Sequence, residues 1–276
     1  TQIIYDSRND KTSPRPENFI QLKFDLSGKE MDNEIYESEK KSKNNMNQAN
    51  QKPINIPRVK ENNTPQVAIY HTHTSETYKD DPRIQHNYHV PPGVIGNVGR
   101  VGQYLSDKLS NKYNINVYHT TKIHDREYRK SYSESEKTVK KIVNQYKDLK
   151  MIFDIHRDAL EDNGDSAYTA VINGKRVAKI MLVVTNGDLY SNLNINSPRW
   201  DWHKNYNFAH KLSRKMEEMY PGLLMGEIKI RNTIFNQHLH SHALLLEMGD
   251  CRNTTLEVLR SAELLADVIA SIIYEE

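Results

Sequence analysis

Apolar residues in this chain come in short bursts separated by stretches of helical period. "VAIY" (67–70), "INVYHT" (115–120), "LKMIFDIHRDA" (149–159), "GEIKIR" (226–231) and "HALLLEMG" (242–249) are runs of strand length. Between them, Val98, Val101, Leu105 and Leu109 recur at helical spacing, and such a period predicts one buried face of a helix. "ESEKTVKKIVNQYKD" (134–148) reads as a second amphipathic helix, "KNYNFAHKLSRKMEEMY" (204–220) as a third, closed by Pro221-Gly222, and "TTLEVLRSAELLADVIASIIYE" (254–275) as the closing one. "AYTAVINGKRVAKIMLVVT" (167–185) reads as a hairpin, because Asn-Gly favours the tight turn that joins two strands. Strands alternating with helices predict an α/β domain over 66–276, with a mixed, largely parallel sheet flanked by helices.

The first 65 residues are different. "ENFIQLKFDLS" (17–27) alternates enough for one strand, but Ser27 to Gln66 is rich in Lys, Asn, Glu and Gln and nearly free of large apolar groups. Such a stretch cannot bury enough surface to offset its ordering entropy. It is expected to be a linker, with 28–62 as a spacer outside any active site. The chain opens at Thr1, which suggests a form trimmed of a leader or membrane anchor.

Composition narrows the function. The net charge is +2 over 276 residues, and basic residues are mixed with acidic ones, which argues against a dedicated nucleic-acid binder. The single cysteine, Cys251, allows no internal disulfide and no Cys-based zinc knuckle. It reads as a small packing residue, and Ser75 lacks the elbow of a serine hydrolase. No apolar run is long enough to span a membrane.

The candidate chemistry collects at strand ends, where α/β sheets carry their sites. "VAIYHTHTSETY" runs into His71, His73 and Glu76; "MIFDIHRD" into His156, Arg157 and Asp158; "ALLLE" into Glu247. Two imidazoles and a carboxylate are a catalytic zinc set with a position open for water. His73, Glu76 and His156 are the expected ligands, His73 preferred over His71 because it lies further past the apolar run. A second carboxylate is then needed as the acid–base group, and Glu247, at the end of an apolar strand, suits it. His238, His240 and His242 in "NQHLHSH" could form a second site on a strand face, but read better as a polar loop entering the strand.

"IYHTHTSETY", "DIHRDA", "INGKRVAKIM", Asn236-Gln237 and "LLLEMGDCRNTTLE", in this order, resemble the stage II sporulation protein P family, and more distantly the zinc N-acetylmuramoyl-L-alanine amidases. The resemblance covers about 66–276 and leaves out 1–65. It implies an amidase-like sandwich and a zinc-dependent hydrolase that cuts peptidoglycan between N-acetylmuramic acid and L-alanine, with endopeptidase activity as well. It also implies a mother-cell membrane anchor, a site facing the intermembrane space, and stage II sporulation proteins D and M as partners in engulfment. Within it, Thr72-His73, Ile155-His156 and Leu246-Glu247 fall at the amidase ligand and catalytic positions. The amidases' middle ligand, a glutamate near the first helix, has no counterpart in "PPGVIGNVGRVG", so Glu76, His86 or His89 must take that place. Arg157 is the expected second catalytic group, and His71, Asp158, Arg231, Asn236 and Gln237 the substrate contacts. The alternatives are a stem-peptide metallocarboxypeptidase, with Arg157 or Arg231 holding the terminal carboxylate, and a non-catalytic wall-binding module.

Overall fold

The computed structural model describes residues 64–85, 87–159, 167–189 and 199–275. The strand expected at 17–27, the spacer at 28–62 and His86 lie outside these.

Runs that are apolar at every position form strands covered on both sides. Such are β1 (Val67–Tyr70), β3 (Met151–Asp158) and β8 (Ala243–Asp250). With β2 (Val117–His119), β6 (Ile180–Thr185) and β7 (Lys229–Arg231) they make one sheet in the order β2-β1-β3-β8-β6-β7. β2, β1, β3 and β8 are mutually parallel, and β6 and β7 are parallel to each other, but β6 runs antiparallel to β8. The expected mixed, largely parallel sheet is therefore present, as two parallel blocks facing opposite ways.

The helices form where the periodicity placed them. In α1 (Asn97–Tyr113) Val98, Val101, Leu105 and Leu109 are buried, and Asn114 ends it in the left-handed conformation. That C-terminal residue lets its N–H reach the carbonyls of Leu109 and Ser110, a common helix stop. α2 (Ser131–Gln145), preceded by a 3-10 turn at Tyr128–Lys130, packs Val139 and Ile142 on Ala68, Tyr70 and Ile152. α3 (Trp202–Met219) lies on the opposite face, where Phe208 stacks on Phe153. α4 (Thr255–Glu275) packs on α1 and α3. It begins with a reciprocal cap: the Thr254 N–H donates to Glu257 Oε2 and the Glu257 N–H to Thr254 Oγ1, which satisfies two orphan donors.

The expected hairpin is half right. β4 (Thr169–Ile172) and β5 (Lys175–Ala178) pair across Asn173-Gly174, both with positive φ, as a type I′ turn requires. Residues 175–185 do not continue as one strand, however. The chain breaks at Lys179 because β5 pairs with β4 in a separate two-stranded sheet while β6 joins the main sheet. No helix of the described residues is long and apolar enough to cross a membrane.

Candidate functional site

β1, β3 and β8 are adjacent and parallel, so chemistry from three distant segments meets on one face near their carboxyl ends. His156 and Glu247 are register partners on β3 and β8, and such partners project from the same face. Neither stands at a strand end as expected: both strands run past them, β3 to Asp158 and β8 to Asp250.

The third contributor is the turn that follows β1. The strand stops at Tyr70, so the two-residue period that would put His71 and His73 on one face is lost. His73 joins the site: its ring stacks on Tyr128 at 4.4 Å between centroids and meets His156 edge-on at 5.2 Å. His71 turns inward. Its Nδ1 lies 3.0 Å from the Ile155 carbonyl and its Nε2 3.0 Å from His119 Nε2, beneath Gly102 of α1, where a Cβ would come within 2.6 Å of the ring. The ring expected to contact substrate thus has internal partners on both nitrogens.

Glu76 is held by backbone. The Arg157 N–H donates to Glu76 Oε2 at 3.1 Å, and His156 Nδ1 is 3.3 Å from the same oxygen. Gly96 fixes the turn from the other side, its N–H donating to the Thr74 carbonyl at 2.7 Å. Any side chain at 96 would collide with the Glu76 carbonyl, since a Cβ there would lie 1.9 Å from it. The "PPGVIGNVG" stretch, with no carboxylate, thus serves the site through its backbone.

Arg157 is also turned inward. Its guanidinium donates to the carbonyls of Asn87 at 2.8 Å and Tyr88 at 3.1 Å, and Nε reaches the Thr77 carbonyl at 3.4 Å. Its side chain, expected to be catalytic, is buried and committed to the 77–88 loop. Asn236 and Gln237 are likewise spent internally. Gln237 donates to the Val183 carbonyl and accepts from the Thr185 N–H, and Asn236 donates to Ser135 Oγ and the Tyr132 carbonyl. Both, expected as substrate contacts, are buried. Asp158 is half-buried and raised by burial and by the Asp250 charge. Arg231 is exposed on β7; the register chain Arg231–Thr185 and Met181–Glu247 puts it on Glu247's face.

Burial dominates the charges. It pushes the Glu247 carboxyl up to about 8, with Glu76 and Asp158 adding to the rise, and drives His73 down to about 4. Glu76 and His156 lean on each other: burial opposes both charges, yet Glu76 is held well below the carboxylate range by His156 and Arg157, and His156 well above its own by Asp154 and Glu76. Two sealed polar atoms, His73 Nδ1 and Glu247 Oε2, have no hydrogen-bond partner, and His156 Nε2, also without an aligned hydrogen bond, lies 2.9 Å from Asp154 Oδ1. The donors are neighbours without being gathered, for among the described residues no three His, Cys, Asp or Glu groups stand as a formed metal site.

Two more residues support these groups: His89, one of the expected alternatives to Glu76 as a ligand, and Asp154, which the sequence reading did not single out. His89 forms a bridge with Glu76, and its Nδ1 sits 2.9 Å from Ser75 Oγ, itself bound to Asp125. Asp154, two residues before His156, is buried beneath the site. Its signal was present as Asp154, His156 and Asp158 alternating in an otherwise apolar strand.

Comparisons with known proteins agree in direction. A curated stage II sporulation protein P from Bacillus subtilis (strain 168) is 32% identical over 225 residues, covering 76% of this chain and 51% of that protein. The chain thus spans about half the length of the curated relative that it matches. Two solved structures share 12% and 17% identity: the CwlD amidase of Clostridioides difficile in complex with the GerS lipoprotein, and an N-acetylmuramoyl-L-alanine amidase from Clostridium difficile 630. Their TM-scores are 0.46 and 0.44, over 76% and 77% of this chain and 100% and 96% of theirs. The family description "Stage II sporulation protein P (SpoIIP)" matches residues 5–270, so the likeness extends into the N-terminal region that the motifs left out. The chain belongs to the stage II sporulation protein P family.

Proposed function

We propose that this chain is a zinc-dependent peptidoglycan hydrolase that cleaves the amide between N-acetylmuramic acid and the L-alanine of the stem peptide during sporulation. The observation that carries the reading is the meeting of His73, Glu76, His156 and Glu247, from three segments, with His73 Nδ1 and Glu247 Oε2 sealed and unpartnered. A buried polar atom without a partner is costly, and these are the donor types that zinc takes. His73, Glu76 and His156 would hold the ion. Bound there, zinc would act as a Lewis acid on the scissile carbonyl and make a water acidic enough to attack it.

The rest falls to the chain. Glu247 projects from β8 beside His156, where it can take the proton of the attacking water and return it to the leaving amine nitrogen. The Arg157 N–H fixes Glu76, and the Arg157 side chain donates to carbonyls of the 77–88 loop. That commitment counts against Arg157 as the carboxylate anchor of a carboxypeptidase. Family membership supports work on peptidoglycan outside the cytoplasm during engulfment, with stage II sporulation proteins D and M as partners and some cleavage of stem cross-links. Digestion of purified cell wall, with end-group labelling, tests the bond. Newly freed N-terminal alanine is the expected product, and release of single terminal residues instead would replace the amidase reading with the carboxypeptidase one.

A further inference from the structure

Asp154 is a charged side chain in the middle of the molecule, 1% exposed, and the reaction outlined above does not use it. Three residues, Thr72, Ser135 and Asn236, form a hydrogen-bonded chain that ends on it. The Thr72 N–H donates to Asp154 Oδ1 at 2.8 Å and the Thr72 hydroxyl to Oδ2 at 2.6 Å. Ser135 Oγ lies 2.8 Å from Thr72 Oγ1 and also reaches the Tyr132 carbonyl at 3.2 Å, and Asn236 Nδ2 donates to Ser135 Oγ at 2.8 Å. Asn236 holds that place with φ 59, a left-handed conformation that Asn tolerates better than most residues.

At the head of this chain, Asp154 Oδ1 lies 2.9 Å from His156 Nε2. The two are close but out of line, since Nε2 makes no aligned hydrogen bond. The other ring nitrogen, Nδ1, faces Glu76. A histidine held by a carboxylate at one nitrogen presents the other in a fixed orientation and tautomer.

We propose that Asp154 is a positioning residue that sets the ring of His156 for the metal, and that Thr72, Ser135 and Asn236 act through it as one network. The inference rests on the zinc reading of the site. It also gives Asn236 a role: it closes a chain four residues long that begins on α2's side of the sheet and ends at the ligand.

Zinc affinity, measured by competition with a chromophoric chelator, tests this without relying on activity. Asp154→Asn keeps the shape but removes the charge, and is expected to weaken zinc binding about 10–100-fold, the usual effect of losing such a partner. Thr72→Val keeps the backbone donor and loses only the hydroxyl, so its loss is smaller and of the same sign. The double variant should bind no more weakly than Asp154→Asn alone, because groups in one network are not additive. Wild-type affinity in a folded Asp154→Asn, or losses that simply add, would overturn the proposal. Should Asp154→Asn not fold, Thr72→Val and Asn236→Ala decide it: unchanged zinc affinity in both overturns it, and weakening in both supports it. A wild-type chain that binds no zinc is a separate result, which sinks the zinc reading and this inference with it.

Discussion

Two regions of the molecule are rich in histidine, and they spend it differently. Around His240 and His242 every ring has a neighbour of fixed chemistry. His240 Nε2 lies 3.2 Å from the Leu149 carbonyl, His242 Nδ1 lies 2.9 Å from the Lys150 carbonyl, and the His242 ring stacks on Phe208. These rings pin the start of β8 to the start of β3. At the site, His156 faces two carboxylates, Glu76 and Asp154, His73 lies among aromatic rings, and one nitrogen of each ring has no hydrogen bond. His238 is intermediate, with Nε2 3.3 Å from Glu136 and Nδ1 unpartnered, but no second carboxylate or facing imidazole joins it among the described contacts. Histidine count alone does not mark a site. What marks it is buried donor capacity that the fold leaves unused, next to a second group in the same state.

The contrast can be broken most severely at the ligands. His73→Ala and His156→Ala should each lose zinc, seen by elemental analysis, and with it all wall digestion above background. Chelation of the wild type should do the same and added zinc should reverse it. If metal-free protein digests wall at full rate, the two histidine regions are equivalent and the proposed mechanism is wrong.

Glu247→Gln comes next. The amide keeps the shape and cannot accept the proton, so digestion should fall by about 10²–10⁴-fold while zinc content stays that of the wild type. A near wild-type rate would make Glu247 a packing residue.

Gly96→Ala acts on the site only through backbone. The added methyl meets the Glu76 carbonyl at a distance no Cβ tolerates, and relief requires the turn to move. A loss of about 1–3 kcal/mol in denaturant unfolding is expected, as for other overpacked positions, together with weaker zinc binding. Lost stability with unchanged zinc affinity would show that Glu76 does not depend on this turn.

The smallest effect belongs to the other histidines. His242→Gln should cost about 0.5–1.5 kcal/mol of stability, the ordinary worth of one hydrogen bond, and leave zinc content untouched. A drop in bound zinc would mean that the "NQHLHSH" segment is tied to the metal after all.

The sequence carried the fold well because each element had its own periodicity. Val98 to Leu109 and Val139 with Ile142 announce buried helix faces, and the apolar β1, β3 and β8 announce a covered sheet. It did not carry the reversal at β6. Whether Ile180–Thr185 pairs with β5 or β8 is decided by which edge is free, and no local pattern records that. At the site, residue types pointed to the right segments, but direction was lost wherever the backbone stopped being regular. His71 and His73 separate because β1 ends at Tyr70, and Arg157 turns inward because the loop carbonyls at Thr77, Asn87 and Tyr88 need a donor. Asn236 and Gln237 use their side-chain amides to hold neighbouring segments together.

The central place of β8 also has a consequence in time. β8 sits between β3 and β6 although it follows both in the chain. Until residues 243–250 dock, β3 has an open edge and His156 has no Glu247 opposite it. Contacts such as Tyr78 Oη to the Met248 carbonyl join positions 170 residues apart, and such distant pairings form slowly. Without β8 in place, the chain therefore holds the pieces of the site but not their arrangement. His156 and Glu247 face each other only once the strand that carries Glu247 lies beside β3.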